Sequence, residues 1–137
     1  MPVKPQIKSF LIADQVLQEK GTNKWSAIGI FDTIYASSFP CVHPSLALYI
    51  RLSDGEGDFD IKVEFYDEAE RALAIFKGFK LVVRDRLANP DFGIQTKSLP
   101  VPQPGRYTFR LYFNDEFAQS IPINVVPITP KSVGGGA

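Results

Sequence analysis

Cys41 and His43 are the only cysteine and the only histidine of the chain, and they stand two apart in "FPCVHPSL", between Pro40 and Pro44. On an extended segment, residues i and i+2 point to one face, so thiol and imidazole can converge. A working thiol–imidazole pair also needs a group that orients the ring, and none is legible in the sequence. As zinc ligands the two would need two further donors, and no other cysteine or histidine exists. A turn between two strands is the better reading. The chain is therefore expected to be non-enzymatic and to carry no cofactor.

Carboxylates offer the next chemistry. "DGEGDFD", Asp54 to Asp60, alternates acidic residues in a way that can ring a hard cation, but it fails the helix–loop–helix template. With Asp54 as first ligand, Phe59 stands where glycine is required and Phe65 where a bidentate glutamate belongs. A loop calcium site on a β-sandwich stays open beside the plainer reading of a solvated turn. Asp14 shares its alternation with Phe10, Ile12 and Val16, and Asp32 shares its own with Ile28 and Ile30. Both carboxylates are thus expected on apolar faces, where an unpaired charge costs on the order of several kcal/mol. Amides at strand ends, a role guarding a sheet edge, or a shared cation would each satisfy them.

Surface chemistry is of a different kind. The fifteen basic and fifteen acidic residues cancel, so no overall field draws the chain to nucleic acid or to an anionic membrane. Locally the charge is split. Asp54 to Glu70 holds eight acidic residues against Lys62, and Arg71 to Arg86 holds five basic residues against Asp85. These segments either pair across a sheet or form a docking face. Tyr49 and Arg51 on one alternating segment, and Arg110 and Tyr112 on another, are residue types enriched at interface hot spots, and in one sheet they would form a single patch. Trp25, the lone tryptophan, is either packing at a strand entrance or a platform for a sugar ring. The closing "VGGGA" matches the glycine tail of a conjugated protein modifier, or a linker.

The elements that must position these residues are strands. Eleven prolines and ten glycines punctuate the chain, and β-branched and aromatic residues fill the intervals. In "SLALYIRLSD", Leu46, Leu48, Ile50 and Leu52 alternate with Ala47, Tyr49 and Arg51. In "DFDIKVEFY", Phe59, Ile61, Val63 and Phe65 face in and Asp58, Asp60, Lys62 and Glu64 face out, with "DGEG" between the two segments as the signal of a hairpin. "RYTFRLYF" places Tyr107, Phe109, Leu111 and Phe113 inward. Its partner, "FAQSIPINVV", is expected to place Phe117, Ile121, Ile123 and Val125 inward. Further strands are predicted over 6–17, 26–36, about 72–83 and 92–99, with a helical turn possible near 68–76.

About eight strands at this spacing predict one all-β sandwich of seven to nine strands over 1–127, with a Pro/Gly-rich tail over 128–137. A chain of this length buries roughly 68% of its unfolded surface, enough for a self-sufficient core. One cysteine fits a reducing compartment, and neither a signal peptide nor a run of about 18 apolar residues is visible. A cytoplasmic protein is expected.

Pro102-Gln103-Pro104-Gly105-Arg106-Tyr107, an entry of the form P-x-P-G-x-Y into an alternating strand, resembles the last hairpin of immunoglobulin-like sandwiches, in which a tyrosine ties down a neighbouring corner. Tyr107 is the matching residue. With "LIADQV", "SAIGIFDTIYASSFP" and "PGRYTFRL", the chain up to about Val126 is similar to a bacterial family of small single-domain β-sandwich proteins of unknown function. That resemblance implies a fold and no activity, and no site residue carries over from it. The cysteine pair of antibody domains is missing. The expected function is protein binding or assembly, through Tyr49, Arg51, Arg110 and Tyr112, with a protein partner or another copy of the chain and with neither nucleic acid nor membrane. The alternatives are a modifier, or an accessory of such a system, acting through Gly134 to Gly136, and a sandwich that binds calcium or carbohydrate.

Overall fold

The structure, a computed structural model, describes residues 2–128. Nine strands account for it: β1 (Gln6–Gln18), β2 (Trp25–Ile30), β3 (Thr33–Ala36), β4 (Cys41–Ser53), β5 (Gly57–Tyr66), β6 (Ala72–Val83), β7 (Asp91–Val101), β8 (Gly105–Phe113) and β9 (Glu116–Pro127). They form a four-stranded sheet ordered β2-β1-β4-β7 and a five-stranded sheet ordered β3-β9-β8-β5-β6. Every pairing is antiparallel except β3 with β9.

The period-two pattern holds where it is most regular. Leu46, Leu48, Ile50 and Leu52 on β4 face Phe59, Ile61, Val63 and Phe65 on β5, with Tyr107, Phe109, Leu111 and Phe113 on β8, and all are buried. Phe65 stacks on Tyr107 at 5.2 Å and tilts against Phe109 at 4.8 Å. Each such ring adds roughly 1.5–3 kcal/mol by leaving water, so this aromatic run anchors the core. The β8–β9 hairpin turns on Asn114 and Asp115, both at positive φ (50° and 64°), as a two-residue loop between right-twisted strands requires. The Asn114 side chain accepts the Asp60 N–H at 2.8 Å, which ties the turn to β5.

Five sequence expectations change. The segment 26–36 is two strands in different sheets, because the chain crosses between the sheets at Phe31 and Asp32. "DGEG" likewise carries β4 in one sheet to β5 in the other, so it is a crossover and not a hairpin. No helical turn forms near 68–76. Asp67 accepts the N–H groups of Ala69 and Arg71 on its own carboxylate, both at 2.9 Å, and Glu70 is left-handed at φ 63°, so a tight turn leads directly into β6. Phe117 faces out. The β8–β9 register runs Leu111↔Gln119 and then Tyr112↔Phe117, so Ala118 is an extra residue, a bulge that moves Phe117 to the outer face.

The fifth concerns Ala47, which its alternation sends outward and which is nonetheless buried. β1 pairs with β4 as far as Ala13↔Ala47 and with β2 from Ala13↔Ile30 onward, so it changes partner at Ala13. Beyond that point the β1–β2 hairpin comes over the sheet, and Trp25 at its far end lies 6.3 Å from the ring of Tyr49. Gly93 on β7 leaves room for it: a Cβ there would stand 3.0 Å from both Trp25 Cζ3 and Val16 Cγ1.

Candidate functional site

The Tyr/Arg pairs do not come together. β4 and β8 belong to different sheets, so Tyr49 with Arg51 and Arg110 with Tyr112 lie on opposite outer faces, and the single patch that one shared sheet would have made is corrected to two separate clusters. On the four-stranded face Tyr49 is committed to local structure. It donates to the Asp91 carboxylate at 2.5 Å, Arg51 reaches the same oxygen at 3.1 Å, and Trp25 covers the ring. Burial first, and then the Asp91 hydrogen bond, pushes the Tyr49 hydroxyl above its ordinary pKa. Trp25 is packing here, with its indole N–H buried and without a partner among the described residues.

The five-stranded face is different. Cross-strand register sets Lys62 opposite Tyr112, Glu64 opposite Arg110 and Tyr66 opposite Thr108. The Arg110 guanidinium carbon sits 3.8 Å from the ring centroid of Tyr66, and Lys62 Nζ sits 4.7 Å from that of Tyr112. Tyr112 in turn meets the edge of Phe117 at 5.8 Å. Arg110 also pairs with Glu70, and Lys62 pairs with Glu64 at 3.4 Å and Asp115 at 3.1 Å. Tyr66 donates to Glu64 at 2.7 Å, and that bond first, with burial second, pushes the Tyr66 hydroxyl up to about 12. Burial raises the Glu64 carboxyl, but the Tyr66 hydroxyl and the Lys62 charge outweigh it and hold the group below the usual carboxylate range. Beside this ladder is a recess of about 440 Å³ lined by Asp67, Glu68, Glu70, Arg106, Thr108 and Arg110. Sequence reasoning missed Tyr66 and Phe117 as members of this site. Tyr66 shares the alternation of Lys62 and Glu64 and was findable by it, whereas the bulge that exposes Phe117 carries no such signal.

The segment of Cys41 and His43, expected as a turn, is the start of β4, and both residues line one groove with Ile34 and Tyr35. His43 lies 6.2 Å from the ring of Phe31 and lines an open groove with Asp14 and Tyr35. Desolvation lowers its pKa and the Asp14 charge only partly opposes this. Cys41 is half-buried against the core, and no hydrogen bond joins it to His43 among the described residues. Asp14 and Asp32 are both exposed, not set on apolar faces. The partner change at Ala13 turns Asp14 out against Gly29, and Asp32 sits in the crossover, where its side chain accepts the Thr33 hydroxyl at 2.9 Å. Among the described residues no three His, Cys, Asp or Glu side chains converge as a metal cage requires. Asp58 and Asp60 of the acidic run instead reach Arg84, just past β6, at 3.7 Å and Lys80 on β6 at 3.3 Å. Two of the opposed charges are thus paired along the β5–β6 ladder. Gly134 to Gly136 lie outside the described residues. Among the described residues no helix is long and apolar enough to cross a membrane.

Two packed sheets, crossovers between them and a tyrosine that ties down the start of β8 define an immunoglobulin-like β-sandwich. The chain belongs to the family of unknown function DUF6941, whose model matches residues 8–126. No curated protein matches it. Among solved structures it is similar to the alkylpurine DNA glycosylase AlkC of Pseudomonas fluorescens, at 11% identity and a TM-score of 0.58 over 90% of this chain and 30% of that one. The chain therefore spans less than a third of the glycosylase, and the likeness shows the fold alone. An immunoglobulin-like protein of Pseudomonas aeruginosa is similar at 14% identity and a TM-score of 0.46, over 90% of this chain and 97% of that one.

Proposed function

We propose that this chain is a non-enzymatic, cytoplasmic protein-binding or assembly module that meets a protein partner, or another copy of itself, with the outer face of the five-stranded sheet. The observation that carries this reading is the ladder in which Arg110 lies on Tyr66, Lys62 lies over Tyr112, and Tyr112 meets a half-exposed Phe117. Arginine and aromatic residues carry much of the energy at protein interfaces. Stacking and ion pairs fix these side chains before any partner arrives, which lowers the entropic cost of ordering them on binding. Balanced overall charge and the single cysteine support a partner other than nucleic acid and a reducing compartment.

A photo-crosslinking amino acid placed at position 112 tests the reading, with the same residue at position 49 on the opposite face as control. The expected outcome is a discrete adduct, to another protein or to a second copy, from position 112 only, and its loss when Arg110 and Phe117 become alanine. Equal labelling from both faces, or none from 112, overturns it.

A further inference from the structure

Leu87, Ile30, Tyr35 and Val42 are the four most exposed large hydrophobic side chains among the described residues, at 85%, 64%, 64% and 57%. Three of them wall one groove. Ile30 and Tyr35 line the recess of about 440 Å³ that holds Asp14 and His43, and Tyr35 and Val42 line an adjoining one of about 310 Å³. Ile34, Tyr35 and His43 belong to both, which joins the two recesses at the flank where β2 and β3 end their sheets. Among the described residues no lysine or arginine lines this groove. Burial holds His43 below its ordinary pKa, so near neutral pH Asp14 is the charged group there. Asp58, Asp60, Asp67, Asp91 and Asp115 are all ion-paired, whereas the Asp14 carboxylate has no ion pair and no hydrogen bond among the described residues.

Leu87 stands at the opposite flank. It tips the loop from β6 to β7, the strands that end the two sheets on the side away from β2 and β3. Asp85 fixes this tip: its carboxylate accepts the Leu87 N–H at 2.9 Å, and its carbonyl accepts the Ala88 N–H at 3.0 Å. Arg84 is held by Asp58 at 3.7 Å. Arg86, beside Leu87, is exposed and has no ion pair among the described residues. The tip thus presents an unpaired guanidinium and an apolar side chain, ordered before any contact. The groove presents the counterpart of each, an unpaired carboxylate beside apolar and aromatic walls. Arginine suits such a place, because its planar fork matches a carboxylate and stacks on rings.

We propose that the Arg86–Leu87 tip of one copy of this chain enters the Asp14 groove of another, with Arg86 on Asp14 and Leu87 against Ile30, Tyr35 and Val42. Tip and groove lie on opposite flanks of the sandwich, so two copies cannot make both contacts with each other. Each contact leaves a tip open at one end and a groove open at the other, and the copies add head to tail. This contact is separate from the Arg110 and Tyr112 face, and the two are tested apart.

The full chain is followed by size exclusion with light scattering as its concentration rises. Expected are a mass that grows past the dimer and association at least about tenfold weaker for Leu87→Ala. A tip variant, Arg86→Ser with Leu87→Ser, and a groove variant, Asp14→Lys, are each monomeric alone. Their equimolar mixture gives a dimer and nothing larger, because the intact tip of one chain enters the intact groove of the other. Val42→Lys, placed away from the contact of Asp14 with Gly29, is a second groove variant and behaves as the first. Arg110→Ala with Phe117→Ala leaves the growth in mass unchanged. The proposal is overturned if the native chain stays monomeric or stops at the dimer, or if a tip or groove variant, shown folded by circular dichroism, still grows. It is also overturned if the mixture stays monomeric or passes the dimer, or if the Arg110/Phe117 variant loses the growth.

Discussion

Tyr107 donates its hydroxyl to the backbone carbonyl of Gln103 at 2.5 Å, and the Gln103 N–H returns to the same hydroxyl at 3.2 Å. One buried side chain thus satisfies both backbone groups of a residue four positions upstream and holds the Pro102–Pro104 corner against the start of β8. Tyr107→Phe keeps the ring stacked on Phe65 and leaves two backbone groups without that partner. The expected loss is about 1–3 kcal/mol in urea unfolding, with the m-value unchanged. Tyr107→Ala, which also opens a cavity beside Phe65, costs more, about 3–5 kcal/mol.

Gly29 and Asp14 face each other where β1 changes partner. Gly29 has φ 72°, and a Cβ on it would stand 2.4 Å from Asp14 Oδ2. Gly29→Ala therefore meets two separate penalties, the left-handed backbone at roughly 1–2 kcal/mol and the clash. Thermal melts of Gly29→Ala and of Gly29→Ala with Asp14→Ala should differ, the second recovering the clash and not the backbone strain. Equal melting temperatures would show that Asp14 swings aside freely.

Tyr66 reports on the binding ladder. Its hydroxyl is held at about 12 against an ordinary 10.0, mainly by the Glu64 hydrogen bond. The raised value means that this bond supports folding fully below pH 10 and is lost as pH climbs through the folded value. Burial also raises Tyr49 and Tyr107, so the readout is a difference: ultraviolet titration of the native chain and of Tyr66→Phe should differ by one tyrosine ionising about two units late, and Glu64→Gln should return that tyrosine towards 10. A Tyr66→Phe titration that loses no late component would remove the bond.

Much of the core was legible, and the reason is geometric. β5 and β8 alternate without interruption, so Phe59 to Phe65 and Tyr107 to Phe113 announce their buried faces. Ala47 and Phe117 defeated the same rule from opposite directions. Ala47 is covered by a hairpin from elsewhere in the chain, and Phe117 is turned out by one extra residue in β9. Partner choice was the larger blind spot. "DGEG" has the chemistry of a hairpin, and only tertiary packing sends β5 into the other sheet. For the site, Arg110 and Tyr112 were recognisable by residue type. That Tyr66 and Lys62 face outward is legible in the β5 alternation, but which side chains they stack on depends on the β5–β8 register, which no local spacing encodes. Tyr49 and Arg51 were misgrouped with them for the same reason.

The parallel pairing of β3 with β9 sets an order of events during synthesis. β3 leaves the ribosome well before β9, which among the described residues is its one ladder partner, so Ile34 has no sheet to join until β9 has been made. Closing such a distant contact is slow compared with the local hairpins. The earlier of these two strands therefore waits on the later one, and a chain arrested before β9 should leave β3 open to protease.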